Sequence, residues 1–341
     1  MDNYTIIKFV SSGSFGKIYK ATSKITNKIC AIKKIQYAGL SKYDKESTFN
    51  EAKLTSLIKF PHIIGALDMF SDKDYVYIVY PYYGMKDLRH YLKTHPYLTE
   101  EEIWKIMGQL VSAVNFLHKY NVIHRDIKIQ NILVKSNLDV VLADLGVCKI
   151  LPKYSINTNT QVGTPYYLSP EIVEGAKYSK TTDIWSLGVL LYELIYKKYP
   201  FTAHNLPYLM KQIKMDNIMF PPTRYSFRLT DLCKKMLDKN QYMRPSADHL
   251  YNIPSLQRYI VPLPNIDINV SNMLQNYKFD PIHTMNRNIK KLINNFSTPK
   301  ESPRNQLDPK EFVREYFLYR LNRSSVGVQV NTSTRSDILY K

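Results

Sequence analysis

Residues 122 to 131 read VIHRDIKIQN, which sets His124, Arg125, Asp126, Lys128 and Asn131 among branched apolar neighbours. Polar groups so placed are costly unless something uses them. Moving a phosphoryl group onto a hydroxyl needs a carboxylate beside that hydroxyl, a cation beside the moving oxygens, and ligands for magnesium. Asp126, Lys128 and Asn131 are those three types, spaced so that one irregular loop can aim them into a single cleft. An ion-paired surface turn is the plain alternative.

Such a loop needs a frame. TIIKFV, KIYKATSK and KICAIKKI are short and rich in Ile, Val, Thr and Tyr, and they are broken by SSGSFG and TN, so they predict a meander of hairpins. In KESTFNEAKLTSLIKF, Phe49, Leu54, Leu57 and Ile58 fall at helical spacing before Pro61. YVYIVYPYY reads as a further strand running into a connector at Pro81, and DVVLA is strand-like. From about residue 88 helices take over. LTEEEIWKIMGQLVSAVNFLHKY has Thr99 as N-cap and three glutamates in its first turn, and KTTDIWSLGVLLYELIY is apolar on nearly every side, as a core helix is. A strand-rich lobe followed by a larger helical one is an α+β arrangement.

Composition sets bounds on function. The 341 residues suffice for two modest lobes, and 44% hydrophobic with 22% charged is ordinary for a soluble globular protein. The net charge of +18 suits a polyanionic or phosphorylated partner, yet the basic residues are scattered along the chain as on a solvated surface. The three cysteines, Cys30, Cys148 and Cys233, lie far apart, which argues against a disulfide framework and for a reducing compartment. With no basic leader, no metal-ligand spacing and no apolar run of about 18 residues, the expectation is a cytoplasmic protein without a membrane span, nuclear or cytoskeletal association being left open. Beyond about residue 260 the chain turns rich in Asn, Ser, Thr and Pro, which predicts a basic, largely flexible tail over 261–341. One island in it, LDPKEFVREYFLYRL, predicts a helix at 308–322 that could dock on the body or on a partner. The tail has no basic-aromatic array or zinc spacing, which disfavours nucleic acid as partner.

The order His-Arg-Asp-x-Lys-x-x-Asn resembles the catalytic loop of protein kinases. Other motifs follow in the same order. SSGSFGKI, between two expected strands, resembles the glycine-rich loop over ATP phosphates, with Gly13 and Gly16 matching and Ser11 in place of the first glycine. CAIKK offers Lys33, the run NEAKLTSLIKFPHII offers Glu51 as its partner, and LADLGV offers Asp144 with Leu145 where phenylalanine is usual. GTPYYLSPE resembles the end of an activation segment. Together with MFPP and LTDLCKKMLDKNQYMRPS, it is most similar to the NIMA-related (NEK) serine/threonine kinases.

The resemblance covers roughly residues 4 to 260 and implies a bilobal kinase domain over 1–260, with a small antiparallel lobe to about residue 80, one regulatory helix, and a larger helical lobe from about 84. It implies ATP with two magnesium ions on Asp144 and Asn131, adenine against Ile18, Ala31 and Leu133, and Tyr80 as gatekeeper. Pro81 stands at the hinge without an amide hydrogen, and the Tyr83 amide supplies the second hinge bond. Lys33, held by Glu51, would grip the α- and β-phosphates while Asp126 orients a protein Ser/Thr hydroxyl. Thr164 would bond toward Asp126 and Lys128, Glu171 would pair with Arg244, and Asp183 would cap the catalytic-loop backbone. Thr160, or else Thr158, would take an activating phosphate with Arg125 as its cationic partner. Ser11, Ile129 and Thr55 depart from the family pattern without removing a catalytic atom, and an activating partner or tail-docking protein is left open. The competing reading is a pseudokinase scaffold that binds nucleotide or partners without catalysis.

Overall fold

The computed structural model describes residues 2–13, 16–36, 38, 55–84, 87–144, 165–176 and 178–264. The first lobe is a five-stranded antiparallel sheet in the order β1-β2-β3-β5-β4. Its strands are β1 (Tyr4–Gly13), β2 (Gly16–Ser23), β3 (Ile29–Gln36), β4 (Asp68–Ser71) and β5 (Tyr75–Pro81). β4 was not foreseen: DMFS is too short to show alternation, and it exists because it closes a hairpin on β5, with Met69 opposite Ile78. Pro81 is tolerated because it ends β5 beyond the reach of β4, where the ladder needs no further amide.

The second lobe is helical. It begins with α1 (Leu88–Thr94) and α2 (Glu100–Lys119), the latter opened by a capping box in which Thr99 and Glu102 exchange side-chain and backbone bonds. A small hairpin of β6 (Ile132–Val134) and β7 (Val140–Leu142) follows, then α3 (Pro170–Val173) and α4 (Lys180–Tyr196). Every residue of α4 from Thr182 to Tyr192 is buried, as its all-round apolarity requires. The lobe ends with α5 (Leu206–Met215), α6 (Phe227–Met236), α7 (Ala247–Tyr251) and α8 (Pro254–Gln257).

One continuous core runs through both lobes, joining Ile35, Val76 and Ile78 of the sheet to Leu110 and Phe116 of α2 and to Trp185 and Tyr192 of α4. Each fully buried side chain of this size contributes about 1.5 to 3 kcal/mol. The α+β, bilobal expectation therefore holds. Of the expected first-lobe helix, Thr55–Leu57 are helical; Glu51 and the 308–322 helix lie outside the described residues.

Candidate active site

The sheet delivers the upper half of the site. Directly paired residues share a face, so Ile18, Ala31, Lys33 and Tyr80 all project from the same side of β2, β3 and β5. At the turn between β1 and β2, Gly13 faces Gly16. Gly16 has φ +139°, and a Cβ there would sit 2.2 Å from the carbonyl oxygen of Lys34. Only glycine lets the hairpin lie so close to β3. Gly16→Ala is therefore expected to destabilise the protein by about 2 kcal/mol or more and to shrink the rise in melting temperature on adding MgATP. A melting curve and a nucleotide shift equal to those of the wild type would contradict this.

The second lobe delivers the lower half. Leu133 of β6, with Tyr80 and Tyr83, packs against Ile64, Val141 and Ala143. These residues form an apolar seat beside the hinge. Below it, Asp126 accepts from Lys128 Nζ at 2.9 Å and from Asn131 Nδ2 at 2.9 Å. The Asn131 amide also donates to the Asp126 carbonyl at 2.7 Å, which turns its own oxygen away from the carboxylate. The Asn131 carbonyl accepts from Ala143 N at 2.8 Å, so the residue before Asp144 is stitched to the loop.

Lys33 joins the two halves. Its ammonium, buried on β3, lies 2.5 Å from Asp144 Oδ1, although 111 residues separate the two in sequence. A buried cation and a half-exposed carboxylate thus converge beside Asn131, which is the donor set that a magnesium-bound triphosphate requires.

Two of the positive-φ non-glycine residues lie here. Arg125 and Asp144 have φ of +69° and +54°, a region that costs non-glycine residues about 1 to 2 kcal/mol each. At Arg125 the strained turn is held by Asp183 of α4, whose carboxylate accepts from His124 N at 2.8 Å, Arg125 N at 2.9 Å and His118 Nε2 at 2.9 Å. Burial alone would raise the Asp183 pKa, but the His118 hydrogen bond and the charges of His118 and His124, with the Arg125 amide, hold it below the usual carboxylate value. At the edge of the lobe Glu171 and Arg244 meet through two 2.7 Å bonds.

Ser11 lies exposed on β1 opposite Ile18, at the rim of the site. Thr158, Thr160, Thr164 and Glu51 fall outside the described residues. One cluster was missed from the sequence: Glu193 on α4 accepts from Tyr167 at 2.5 Å and from Arg89 of α1 at 3.2 Å. The readable signal was a carboxylate on an otherwise apolar core helix, which must find a partner.

The sheet, the helical lobe and the convergence of Lys33 with Asp144 define a protein kinase, and the chain belongs to that family: the family model "Protein kinase domain" matches residues 4–256. Among individual proteins it is similar to serine/threonine-protein kinase Nek3 of Mus musculus, 37% identical over 252 residues, covering 73% of this chain and 49% of that protein. Serine/threonine-protein kinase Nek2 of Mus musculus is 34% identical over 265 residues, covering 74% of this chain and 60% of that protein. Serine/threonine-protein kinase fused of Drosophila melanogaster is 32% identical over 261 residues, covering 75% and 32%. The chain spans about half the length of the first of these relatives. Among the described residues no helix is long and apolar enough to cross a membrane.

Proposed function

We propose that this protein is a NEK-like serine/threonine kinase that transfers the γ-phosphate of ATP to Ser or Thr hydroxyls of proteins. The observation that carries this reading is the meeting of Lys33 and Asp144 across the two lobes, beside the linked Asp126, Lys128 and Asn131. The kinase domain occupies about residues 1–260 and a tail follows it. Adenine lies among Ile18, Ala31 and Leu133, with Tyr80 behind it and the Pro81 carbonyl and Tyr83 amide at its edge. Ser11, Gly13 and Gly16 belong to the hairpin that covers the phosphates. Asp144 and the Asn131 amide oxygen hold magnesium, which supplies positive charge against the polyphosphate.

Lys33 grips the α- and β-phosphates. Asp126 orients the acceptor hydroxyl and receives its proton as the oxygen attacks the γ-phosphorus and the bond to the departing ADP breaks. Lys128 lies beside Asp126, where charge on the transferring oxygens is balanced. Phosphate on Thr160 or Thr158, paired with Arg125, sets the active form, and Thr164 links the activation segment to the loop. A cytoplasmic setting fits the same reading.

Labelled γ-phosphate offered with a panel of Ser, Thr and Tyr peptides is expected to reach Ser or Thr, and Lys33→Met is expected to abolish the signal. Equal labelling by wild type and Lys33→Met, or transfer confined to Tyr, would overturn the proposal.

A further inference from the structure

Arg89 stands where the catalytic loop, the segment after Thr164 and helix α4 meet. Its guanidinium donates to Tyr199 Oη at 2.6 Å and to Glu193 Oε1 at 3.2 Å. With the Gln130 amide oriented oxygen-inward, Arg89 Nε and Nη2 also donate to it at 3.1 Å each. Gln130 immediately precedes Asn131, whose amide holds Asp126. On the other side, Tyr167 gives its hydroxyl hydrogen to Glu193 and accepts from Ile129 N at 3.2 Å, while Tyr166 stacks on Tyr199 with ring centroids 4.4 Å apart. One guanidinium therefore ties the catalytic loop to the segment beside which an acceptor peptide must lie.

Of the Arg89–Glu193 pair, the cation is the member that faces solvent. Both Glu193 oxygens are engaged, and its side chain is only 14% exposed, whereas that of Arg89 is 40% exposed. A guanidinium keeps its charge at any working pH. The loop residue it touches is the neutral Gln130, and the carboxylate it bonds is the largely buried Glu193. Lys197, at the end of α4, adds a second cation within electrostatic reach of Glu193. Asp87, the carboxylate nearest to Arg89 in sequence, is turned to the start of its own helix, where it accepts from His90 N at 2.6 Å. With Nε and Nη2 engaged by Gln130, Tyr199 and Glu193, the guanidinium is held in place and Nη1 is the nitrogen that can donate to a carboxylate or phosphate.

The geometry points to Arg89 as a specificity-determining residue that selects protein substrates carrying an acidic or phosphorylated side chain close to the acceptor hydroxyl. This inference rests on the kinase reading and names the substrate class of that same site.

The test uses the full chain and peptides with one Ser, in which a single Glu, phosphoserine or Lys is walked through the flanking positions of an Ala-rich background. At one position at least, Glu or phosphoserine is expected to raise kcat/KM about tenfold over Ala, and Lys to lower it, with the change falling mainly in KM. Arg89→Lys should keep the sign of the preference with a smaller ratio, and Arg89→Glu should invert it. The ratio between peptides is the readout, so a general loss of activity from altered packing around Glu193 does not mimic the result. A wild type indifferent to the walked charge, or one preferring Lys, would overturn the inference, as would an Arg89→Lys protein without acidic preference. Phosphate transfer with no charge preference would sink this inference alone, whereas no transfer to any peptide would sink the kinase reading itself.

Discussion

Asp126→Asn is expected to lower kcat for peptide phosphorylation by about 10²- to 10⁴-fold, the usual loss when a positioned proton acceptor is removed. The side chain sits at a junction of donors: Lys128 Nζ and Asn131 Nδ2 both point at Oδ2. An ionised carboxylate accepts from both donors and can also take up a proton. An asparagine amide of the same shape has one oxygen to offer, and its NH2 group cannot take a proton. The KM for ATP should move little, because Lys33, Asp144 and the apolar seat around Leu133 are untouched. Steady-state kinetics with varied ATP and varied peptide separate the two effects. A kcat within tenfold of wild type would remove Asp126 from the proposed role.

Much of this arrangement was legible in the sequence because it is written locally. Thr99 and the glutamates that follow it mark the start of α2, and the box forms with Glu102 as its partner. The apolar run 180–196 gives α4, since 17 residues buried on nearly all sides are too many for a strand. Gly16 was readable as a turn residue, but the reason it must be glycine, the carbonyl of Lys34 beneath it, belongs to a strand whose approach no local pattern encodes.

What was not legible is mostly a matter of pairing across long separations. Nothing around Asp183 announces that its two oxygens will hold the amides of His124 and Arg125, 59 and 58 residues earlier. That role was reached by family resemblance alone. Arg89 and Glu193 lie 104 residues apart, in an amphipathic helix and an apolar one, and neither stretch looks like a site. β4 escaped because four residues are too few to establish a period, and its pairing with β5 is fixed by the core. Local propensity names the elements, and packing names the partners.

The second large effect concerns stability. Arg244→Met is expected to cost about 3 to 5 kcal/mol, the usual consequence of stranding one member of a buried pair, and to lower the melting temperature by roughly 10 °C. Arg244 is fully buried and donates to both Glu171 oxygens, to the carbonyls of Asp238 at 2.7 Å and Thr181 at 3.0 Å, and lies 4.9 Å above the Trp185 ring. Methionine replaces the volume and none of the donors, so Glu171 loses both guanidinium bonds and keeps weaker donors such as the Thr182 hydroxyl at 3.1 Å.

The loss carries a pH signature. Burial raises the Glu171 pKa, but the Arg244 hydrogen bonds and charge outweigh it, so in the wild type the group titrates below its ordinary 4.5. A carboxylate with a depressed folded pKa contributes stability above its unfolded pKa and loses it as pH falls through the folded value. Without Arg244 the balance reverses: burial dominates, the Glu171 pKa rises, and protonation relieves the stranded charge. The stability gap between wild type and Arg244→Met should therefore be widest near neutral pH and narrow as pH falls from about 6 toward 4. Denaturant unfolding at several pH values measures it directly, and a gap that stays constant or widens in acid would show that the pair is not what holds this edge of the lobe.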